Sequence, residues 1–203
     1  MIVRMYMTSG VQTIDPDTKP SVAAKLMREK RIRRLIVSQA GEVHGIVCAR
    51  DLTRAAERVG TSKQVQRVRE IMKSPVISVG QDDPIEKAAR LMTKHHIGSL
   101  AVMSGAKLMG IITESDIFRA LTQVMAGGGN SARITFDITK GDQTLEFLIS
   151  KCKSMGVRLL SYLSFEDGDR LMAVARVRGD RTKDFVDDLW DSGEVVVNVI
   201  YLK

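Results

Sequence analysis

Aromatic residues, cysteines and long apolar runs are all scarce in this chain. Aromatic side chains make up 4% of its 203 residues, so a core must be built from aliphatic residues and the 11 methionines. The two cysteines, Cys48 and Cys152, have neither CxxC spacing nor the spacing of a disulfide framework, which fits a reducing compartment. No apolar stretch approaches the roughly 20 residues of a membrane span. Because the N-terminus lacks a signal-peptide pattern, we expect a cytoplasmic protein without a membrane partner.

The positive charge is unevenly distributed along the chain. The formal net charge of +7 divides into +5 over residues 1–60, +3 over residues 61–127 and −1 over residues 128–203. A positive field on the first two segments favours an anionic partner, either nucleic acid or a phosphorylated small molecule. Solubility alone is a further explanation of such a charge.

The first 121 residues contain one sequence pattern twice. Residues 3–56 align with residues 68–121 at a constant offset of 65 without a gap, and eighteen positions are identical. Many identical pairs are apolar or small, as a shared core requires, whereas the pair Asp51/Asp116 is polar and follows an apolar strand. Two copies of one unit usually pack about a pseudo-two-fold axis, because one copy cannot bury its own apolar face. Such packing creates two related clefts, where small ligands bind.

Apolar periodicity predicts an α+β protein with two kinds of unit. Each repeat shows the order β-α-β-β-α, and we assign the repeats to residues 1–60 and 61–126. Residues 127–131 are predicted to form a glycine-rich linker. Residues 132–203 have the order βαββαβ, which is typical of a ferredoxin-like sandwich with two helices on one antiparallel sheet.

The sharpest local signal is the strand-to-helix corner at residues 110–116. Thr113 begins the helix, which places Ser115 and Asp116 in its first turn. The unpaired N–H groups and partial positive charge of a helix N-terminus accept phosphate, and the two hydroxyls add donors. Asp116 is an acceptor-only carboxylate, suited to two vicinal ribose hydroxyls. Together these groups match the sugar-phosphate portion of a nucleotide.

Helix capping is the alternative explanation of this corner. Thr113 followed by Asp116 is also an N-cap with an acid in the first turn. In the first repeat the capping position is Cys48, yet Asp51 is retained. Because cysteine is a poor cap, we do not expect capping alone to explain the retained acid.

The duplication, the element order and the corner motif Gly-hydrophobic-x-Thr/Ser-x-x-Asp resemble a tandem pair of CBS domains, the family named after cystathionine β-synthase. The resemblance covers about residues 3–121. It implies a sensor of adenosine-containing ligands, typically AMP, ADP, ATP or S-adenosylmethionine. In such pairs the corner of one repeat holds the ribose and phosphate, and strands of the other repeat grip the adenine.

Carried onto this chain, the resemblance implies two unequal clefts. Arg33 and Arg34 are expected to meet phosphates in the main cleft, whereas the second cleft has Cys48 in place of Thr or Ser and is expected to be weaker or empty. The residues expected in the main cleft are Thr113, Ser115, Asp116, Met7, Val11, Gln12, Ile32, Arg33 and Arg34. Those expected in the second cleft are Asp51, Arg50, Val76, Ile77, Ile97, Gly98 and Ser99.

Residues 131–203 resemble an ACT domain, a small ferredoxin-like module that often binds amino acids at dimer interfaces. The candidate ligand turn of this unit is Lys140, Gly141 and Asp142. A CBS pair followed by an ACT-like domain is similar in architecture to the acetoin-utilisation regulatory proteins. The resemblance further implies a homodimer, formed through the CBS helices and through the ACT-like domain as a second contact.

These observations predict a non-catalytic regulatory sensor that acts on a partner protein in trans. We expect an adenosine-containing ligand, no cofactor, no metal and no catalytic residues. One alternative is a nucleic-acid-binding regulator that uses the basic residues 30–34, but nucleic acid is not the expected partner because no recognition motif accompanies them. The other alternative is an oligomerisation module whose clefts have lost their ligand.

Overall fold

The computed structural model describes residues 1–58, 60, 64–125, 130–141, 143–193 and 195–202. The chain forms two compact units, Met1–Ala120 and Leu121–Lys203. Of the predicted linker, residues 127–129 lie outside the described residues, and Ser131 already belongs to a strand. The division of the first unit into repeats at residues 60 and 61 stays a prediction.

The first unit contains the duplicated β-α-β-β-α order, and the α+β class is confirmed. A short 3-10 turn opens each repeat, at Val3–Met5 and at Val68–Glu70. The bounds of α1 and α3, of β3 and β6, and of β4 and β7 each differ by the 65 residues of the sequence offset. The helices and strands are β1 (Thr8–Ser9), β2 (Thr13–Ile14), α1 (Pro20–Lys30), β3 (Arg34–Gln39), β4 (Glu42–Cys48), α2 (Ala49–Ala56), β5 (Ser78–Gly80), α3 (Ile85–His95), β6 (Ser99–Ser104), β7 (Lys107–Thr113) and α4 (Glu114–Met125).

The segment that opens each repeat packs in the core of the other repeat. Val3 is completely buried among apolar side chains of the second repeat, and Val68 is completely buried among those of the first. Strand β1 pairs antiparallel with β7, which gives one sheet the order β1-β7-β6-β5. At the equivalent place in the other sheet, the backbones of Ile46 and Lys73 exchange hydrogen bonds of 3.1 and 2.8 Å. Neither repeat therefore has a complete core without the other.

Two ion pairs cross between the repeats and account for two of the identical polar positions. Arg4 Nη1 lies 2.8 Å from Asp82 Oδ1, and the equivalent pair joins Arg69 to Asp17. All four side chains are at least half exposed, so each pair contributes little to the free energy of folding. Two of the identical polar positions therefore pair across the repeats in the same way.

The second unit is a four-stranded antiparallel sheet with the strand order β11-β8-β10-β9. Helices α5 and α6 cover one face, where Phe136, Leu148 and Phe185 are completely buried in a common core. The predicted βαββαβ order is present, whereas the likeness to the ACT family stays a prediction. The elements are β8 (Ser131–Asp137), α5 (Thr144–Met155), β9 (Arg158–Asp167), β10 (Arg170–Arg178), α6 (Thr182–Trp190) and β11 (Val196–Leu202).

The identical glycines of β4 and β7 lie where the exchanged segments cross the sheets. A Cβ atom added at Gly110 would lie 2.5 Å from the carbonyl oxygen of Thr8. A Cβ atom at Gly45 would lie 2.5 Å from the sulfur of Met72. Both distances are far below van der Waals contact, so neither position has room for a side chain while its neighbour stays in place.

We expect Gly110→Ala to destabilise the first unit by about 1–3 kcal/mol, as overpacking of a filled site does. Gly45→Ala should cost less, because the two closest atoms are Sδ and Cγ of the Met72 side chain, which can change rotamer, and not the backbone. Urea unfolding of the two variants beside the wild type measures the difference. An equal loss, or a larger loss for Gly45→Ala, would contradict the described path of the opening segment.

Candidate functional site

A cavity of about 730 Å³ lies beside the start of α2 in the first unit. Its wall comes from both repeats, with the start of β3 and the β4–α2 corner on one side and the approaches to β5 and β6 on the other. This volume is within the range of small-molecule sites. All seven residues expected in the second cleft line it, namely Asp51, Arg50, Val76, Ile77, Ile97, Gly98 and Ser99.

Arg33 and Arg34 also line this cavity, whereas the sequence assigned them to the cleft of Asp116. The reason is a local one. The carbonyl oxygen of Arg33 accepts a 2.9 Å hydrogen bond from the N–H of Ala49, and Arg34 stands opposite Cys48 in the antiparallel β3–β4 pair. These contacts hold the start of β3 against the start of α2 in the same repeat, which places both arginines at the Asp51 corner.

Asp51 caps α2 with its own carboxylate. Its Oδ2 accepts a 2.9 Å hydrogen bond from the N–H of Cys48. The acid therefore has a capping role of its own through one carboxylate oxygen, while the expectation that capping alone does not explain its retention stays a prediction. Among the described residues, Oδ1 of the half-buried Asp51 has no hydrogen-bond partner.

The equivalent carboxylate, Asp116, is engaged by its own repeat. It is 6% exposed and accepts hydrogen bonds from the N–H and hydroxyl of Thr113, at 2.9 and 2.7 Å, and from Arg119 Nη2 at 2.8 Å. Arg119 also donates to the carbonyl oxygen of Tyr6. The carboxylate predicted to accept from a ribose and the Thr113 hydroxyl predicted to donate to a phosphate therefore bond to each other, whereas Ser115 is exposed.

The remaining residues predicted for the main cleft are spread over several surroundings. The half-buried Met7 packs against Gly110. The Met7 sulfur lies 3.2 Å from the position that a Cβ atom on Gly110 would take. Ile32 packs against the core of the first repeat. Val11 and Gln12 lie between β1 and β2, half-buried and exposed respectively. Their role as a ligand cleft stays a prediction.

The two corners therefore differ in how many donors hold the carboxylate. Cys48 stands where the second repeat has Thr113 and supplies only its backbone N–H. Arg54 is the equivalent of Arg119, but within the described part of the chain it forms no ion pair with Asp51. Asp51 therefore lines a cavity with one oxygen that has no hydrogen-bond partner among the described residues, whereas both oxygens of Asp116 accept hydrogen bonds from their own repeat.

Sequence reasoning missed several lining residues that adjoin recognised ones. Lys73 shortly precedes Val76 in the chain, and His96 directly precedes Ile97. Glu114 follows Thr113 at the start of α4 and reaches the cavity of the other corner. These residues could have been predicted from their closeness in sequence to the predicted lining residues.

Gly98 makes room for charged side chains at the cavity wall. A Cβ atom at this position would lie 2.5 Å from Arg34 Nη2 and 2.8 Å from Glu114 Oε2. The guanidinium and the carboxylate therefore approach the same point of the backbone from different elements. The whole wall holds four permanent cations and two carboxylates, namely Arg33, Arg34, Arg50 and Lys73, with Asp51 and Glu114.

The candidate ligand turn of the second unit is an exposed loop between β8 and α5. Lys140 and Gly141 are exposed there, and Asp142 lies outside the described residues. Hydrogen bonds from the hydroxyl and N–H of Thr139 lower the pKa of Asp137 at the start of this loop. A cavity of about 850 Å³ in this unit is lined by other residues, so the role of the turn stays a prediction.

No helix in the described ranges combines the length and apolar character needed to cross a membrane. Within the same ranges, no three His, Cys, Asp or Glu side chains gather into a set that would hold a metal ion.

Comparison with known proteins identifies the fold of the first unit. The family model described as "CBS domain" matches residues 3–58 and residues 68–123, together more than half of the chain. The chain belongs to the CBS domain family. The predicted tandem pair is thereby confirmed, and each match starts with the exchanged segment.

The relatives of this CBS protein differ in length. It is 31% identical over 132 residues to a 33.4 kDa protein in the ribosomal RNA operon of Thermofilum pendens, covering 60% of this chain and 44% of that one. It is 29% identical over 136 residues to a CBS domain-containing protein of Dictyostelium discoideum, covering 62% of this chain and 94% of that one. The solved structure of CBSX2 in complex with AMP matches with a TM-score of 0.54 and 25% identity, covering 61% of this chain and 98% of that one.

We expect Cys48 to react with iodoacetamide much faster than Cys152. Cys48 is half-buried on the cavity wall, whereas Cys152 is 5% exposed in the core of the second unit, where burial raises the pKa of its thiol. Mass spectrometry of the native protein over time measures both rates, with Cys48→Ser as the control. Fast labelling that survives in Cys48→Ser would contradict the described cavity.

Proposed function

We propose that this CBS protein is a regulatory sensor that binds an adenosine-containing ligand in the Asp51 cavity and regulates a partner protein in trans. The observation that carries the proposal is the free acceptor of Asp51 on a cavity wall built by both repeats. The proposal is also supported by CBSX2, a structural neighbour solved with AMP. We propose no catalytic residue, cofactor or metal.

The residues of the cavity suit the three parts of an adenosine ligand. Asp51 is an acceptor for the ribose hydroxyls. Arg50 and the N-terminal end of α2 provide positive charge next to it for a phosphate. Val76, Ile77 and Ile97 supply apolar surface for the adenine ring.

The same arrangement offers a route to regulation. Because the wall comes from both repeats, a bound ligand contacts both and resists any change in their relative position. Such a ligand regulates a partner only to the extent that it binds one arrangement of the repeats more tightly than another. The expected homodimer belongs to the same proposal. It is supported by three exposed apolar side chains of α4, namely Phe118, Leu121 and Met125.

At the Asp116 corner a ligand meets a carboxylate that already accepts three hydrogen bonds from its own repeat and is 6% exposed. Little of its acceptor capacity is left for a ribose. We therefore propose the Asp51 cavity as the tighter site, although the sequence ranked the two clefts the other way.

The test compares Asp51→Asn with Asp116→Asn by isothermal titration with AMP, ADP, ATP and S-adenosylmethionine. In both variants the side-chain oxygen of asparagine can still accept the hydrogen bond from the N–H at the helix cap, so both should fold. We expect Asp51→Asn to weaken binding at least tenfold, because an amide offers fewer acceptors than a carboxylate. Asp116→Asn should weaken it less than threefold.

The reverse ranking of the two variants would move the site to the Asp116 corner. If the wild-type protein binds none of the four ligands, the sensor function itself is overturned. In that case a salt-dependent affinity for DNA or RNA would identify the nucleic-acid alternative. If the protein binds neither DNA nor RNA, the remaining alternative is an oligomerisation module.

A further inference from the structure

We propose that the second unit has a binding site of its own for a small molecule that carries phosphate groups. Four arginines on one face of its sheet, together with the cavity beside them, form this site. Such a site is separate from the adenosine cavity of the first unit and does not depend on the function proposed for that cavity. Three features support it, namely like charges paired across strands, a buried guanidinium without a counter-charge, and the position of the cavity.

The strand register gathers the four arginines at one end of the sheet. Arg176 of β10 stands opposite Arg133 of β8, and Arg178 of β10 stands opposite Arg158 of β9. The β10 residues that lie in the helix-covered core alternate with Arg176 and Arg178. Because side chains alternate between the two faces of a strand, the four arginines lie on the face opposite to α5 and α6, here called the outer face.

The two cross-strand pairs bring like charges together. Side chains directly opposite in antiparallel strands have Cβ atoms about 5 Å apart, and like charges at that spacing destabilise a sheet. Within the described part of the chain, Arg133, Arg158 and Arg176 form no ion pair with a carboxylate. The surrounding segment, residues 128–203, has a net charge of −1, so the positive charge is concentrated locally. An anion bound among these arginines would relieve their repulsion.

Arg176 is the buried member of this cluster. It is 6% exposed, and its Nε donates a 3.2 Å hydrogen bond to Ser131 Oγ. Among the described residues this neutral hydroxyl is the only hydrogen-bond partner of the guanidinium, whereas buried charges in proteins are normally paired. None of its nitrogens is both wholly buried and without a partner, so its free N–H groups keep contact with the surface. Those groups can donate to an anion.

A cavity of about 850 Å³ adjoins the cluster, and its volume is within the range of small-molecule sites. Ser131, the partner of Arg176, is part of its wall. The charged residues among its described lining are three cations and one carboxylate, namely Arg158, Arg178, Lys183 and Asp180. Three cations against one carboxylate leave a surplus of two positive charges on the wall.

A phosphate group fits this surplus. It carries about two negative charges near neutral pH, whereas a single carboxylate carries one. Guanidinium groups bind phosphate oxygens through two parallel hydrogen bonds, which suits a site built mainly from arginine. The hydroxyl of Ser131 accepts from Arg176 and still has its own proton to donate.

The rest of the outer face favours a small molecule over a nucleic acid. Away from the cluster this face has Leu163 and Phe165 on β9 and Met172 and Val174 on β10, with Asp137 at the far end of β8. A single strand of nucleic acid needs a basic groove along its backbone and aromatic side chains for its bases. Within the described strands, Phe165 is the one aromatic residue of this face, and the positive charge stays at one end.

The experiment uses Cys152 as a reporter of the second unit. In the full chain carrying Cys48→Ser it is the one thiol, and it lies 5% exposed in the core of this unit. Its labelling by iodoacetamide in dilute urea therefore measures how often the unit opens. A ligand of the folded unit slows that opening by a factor that rises with ligand concentration. At equal ionic strength, we expect pyrophosphate to slow labelling at least threefold, inorganic phosphate to slow it less, and sodium chloride to leave it unchanged.

The variants are made in the same Cys48→Ser background. Arg133→Gln/Arg176→Gln should lose the slowing by pyrophosphate. Arg158→Gln changes an exposed position, so it keeps the test decisive if the double variant does not fold, and it should weaken the slowing. The matched control is Lys153→Gln/Arg170→Gln, which removes two positive charges from exposed positions of the same unit outside the cavity wall. This control should be slowed as much as its parent.

Equal slowing in Arg133→Gln/Arg176→Gln and in the control would overturn the site. A parent protein that neither phosphate nor pyrophosphate slows would overturn it as well. A single-stranded oligonucleotide that slows labelling more than pyrophosphate at equal phosphate concentration would overturn the small-molecule class and identify nucleic acid as the ligand. Because the reporter thiol is in the second unit, these outcomes are distinct from the loss of adenosine-ligand binding that would overturn the sensor function.

Discussion

The exchange of opening segments between the repeats is the constraint on which the first unit depends. Val3 completes the core of the second repeat and Val68 completes the core of the first. Because each copy completes its core only with a segment of the other, the two copies depend on each other for folding. The candidate cavity needs both, since its acidic corner and its apolar strands come from different copies.

The sequence predicted the duplicated scaffold well, because a constant offset preserves every helix and strand that forms the cores. It did not predict how the identical polar residues are used. Arg4 and Arg69 are recognisable as equivalents, but their partners Asp82 and Asp17 belong to the opposite repeat. Identical residues in the two copies reveal equivalent positions. Their ion-pair partners depend on the exchange of opening segments, which does not change the apolar periodicity of either copy.

The candidate site was predictable where chemistry follows from a local motif. Asp51, Arg50 and Gly98 follow from the corner and the offset, and all three line the cavity. The state of Asp116 was not predictable, because Arg119 is fixed by the carbonyl of Tyr6, a residue 113 positions earlier in the chain. The placement of Arg33 and Arg34 depends in turn on a backbone hydrogen bond to α2, which a motif does not encode.

Gly98 and Arg33 occupy equivalent positions of the two copies, and so do Ser99 and Arg34. An assembly of two identical single repeats, related by a true two-fold axis, would have the same residue at both places. Such an assembly would have either Gly-Ser at both places or Arg-Arg at both places. A glycine in one copy beside a guanidinium from the other requires two copies that have diverged, and joining them in one chain keeps the two different copies together at the cavity wall.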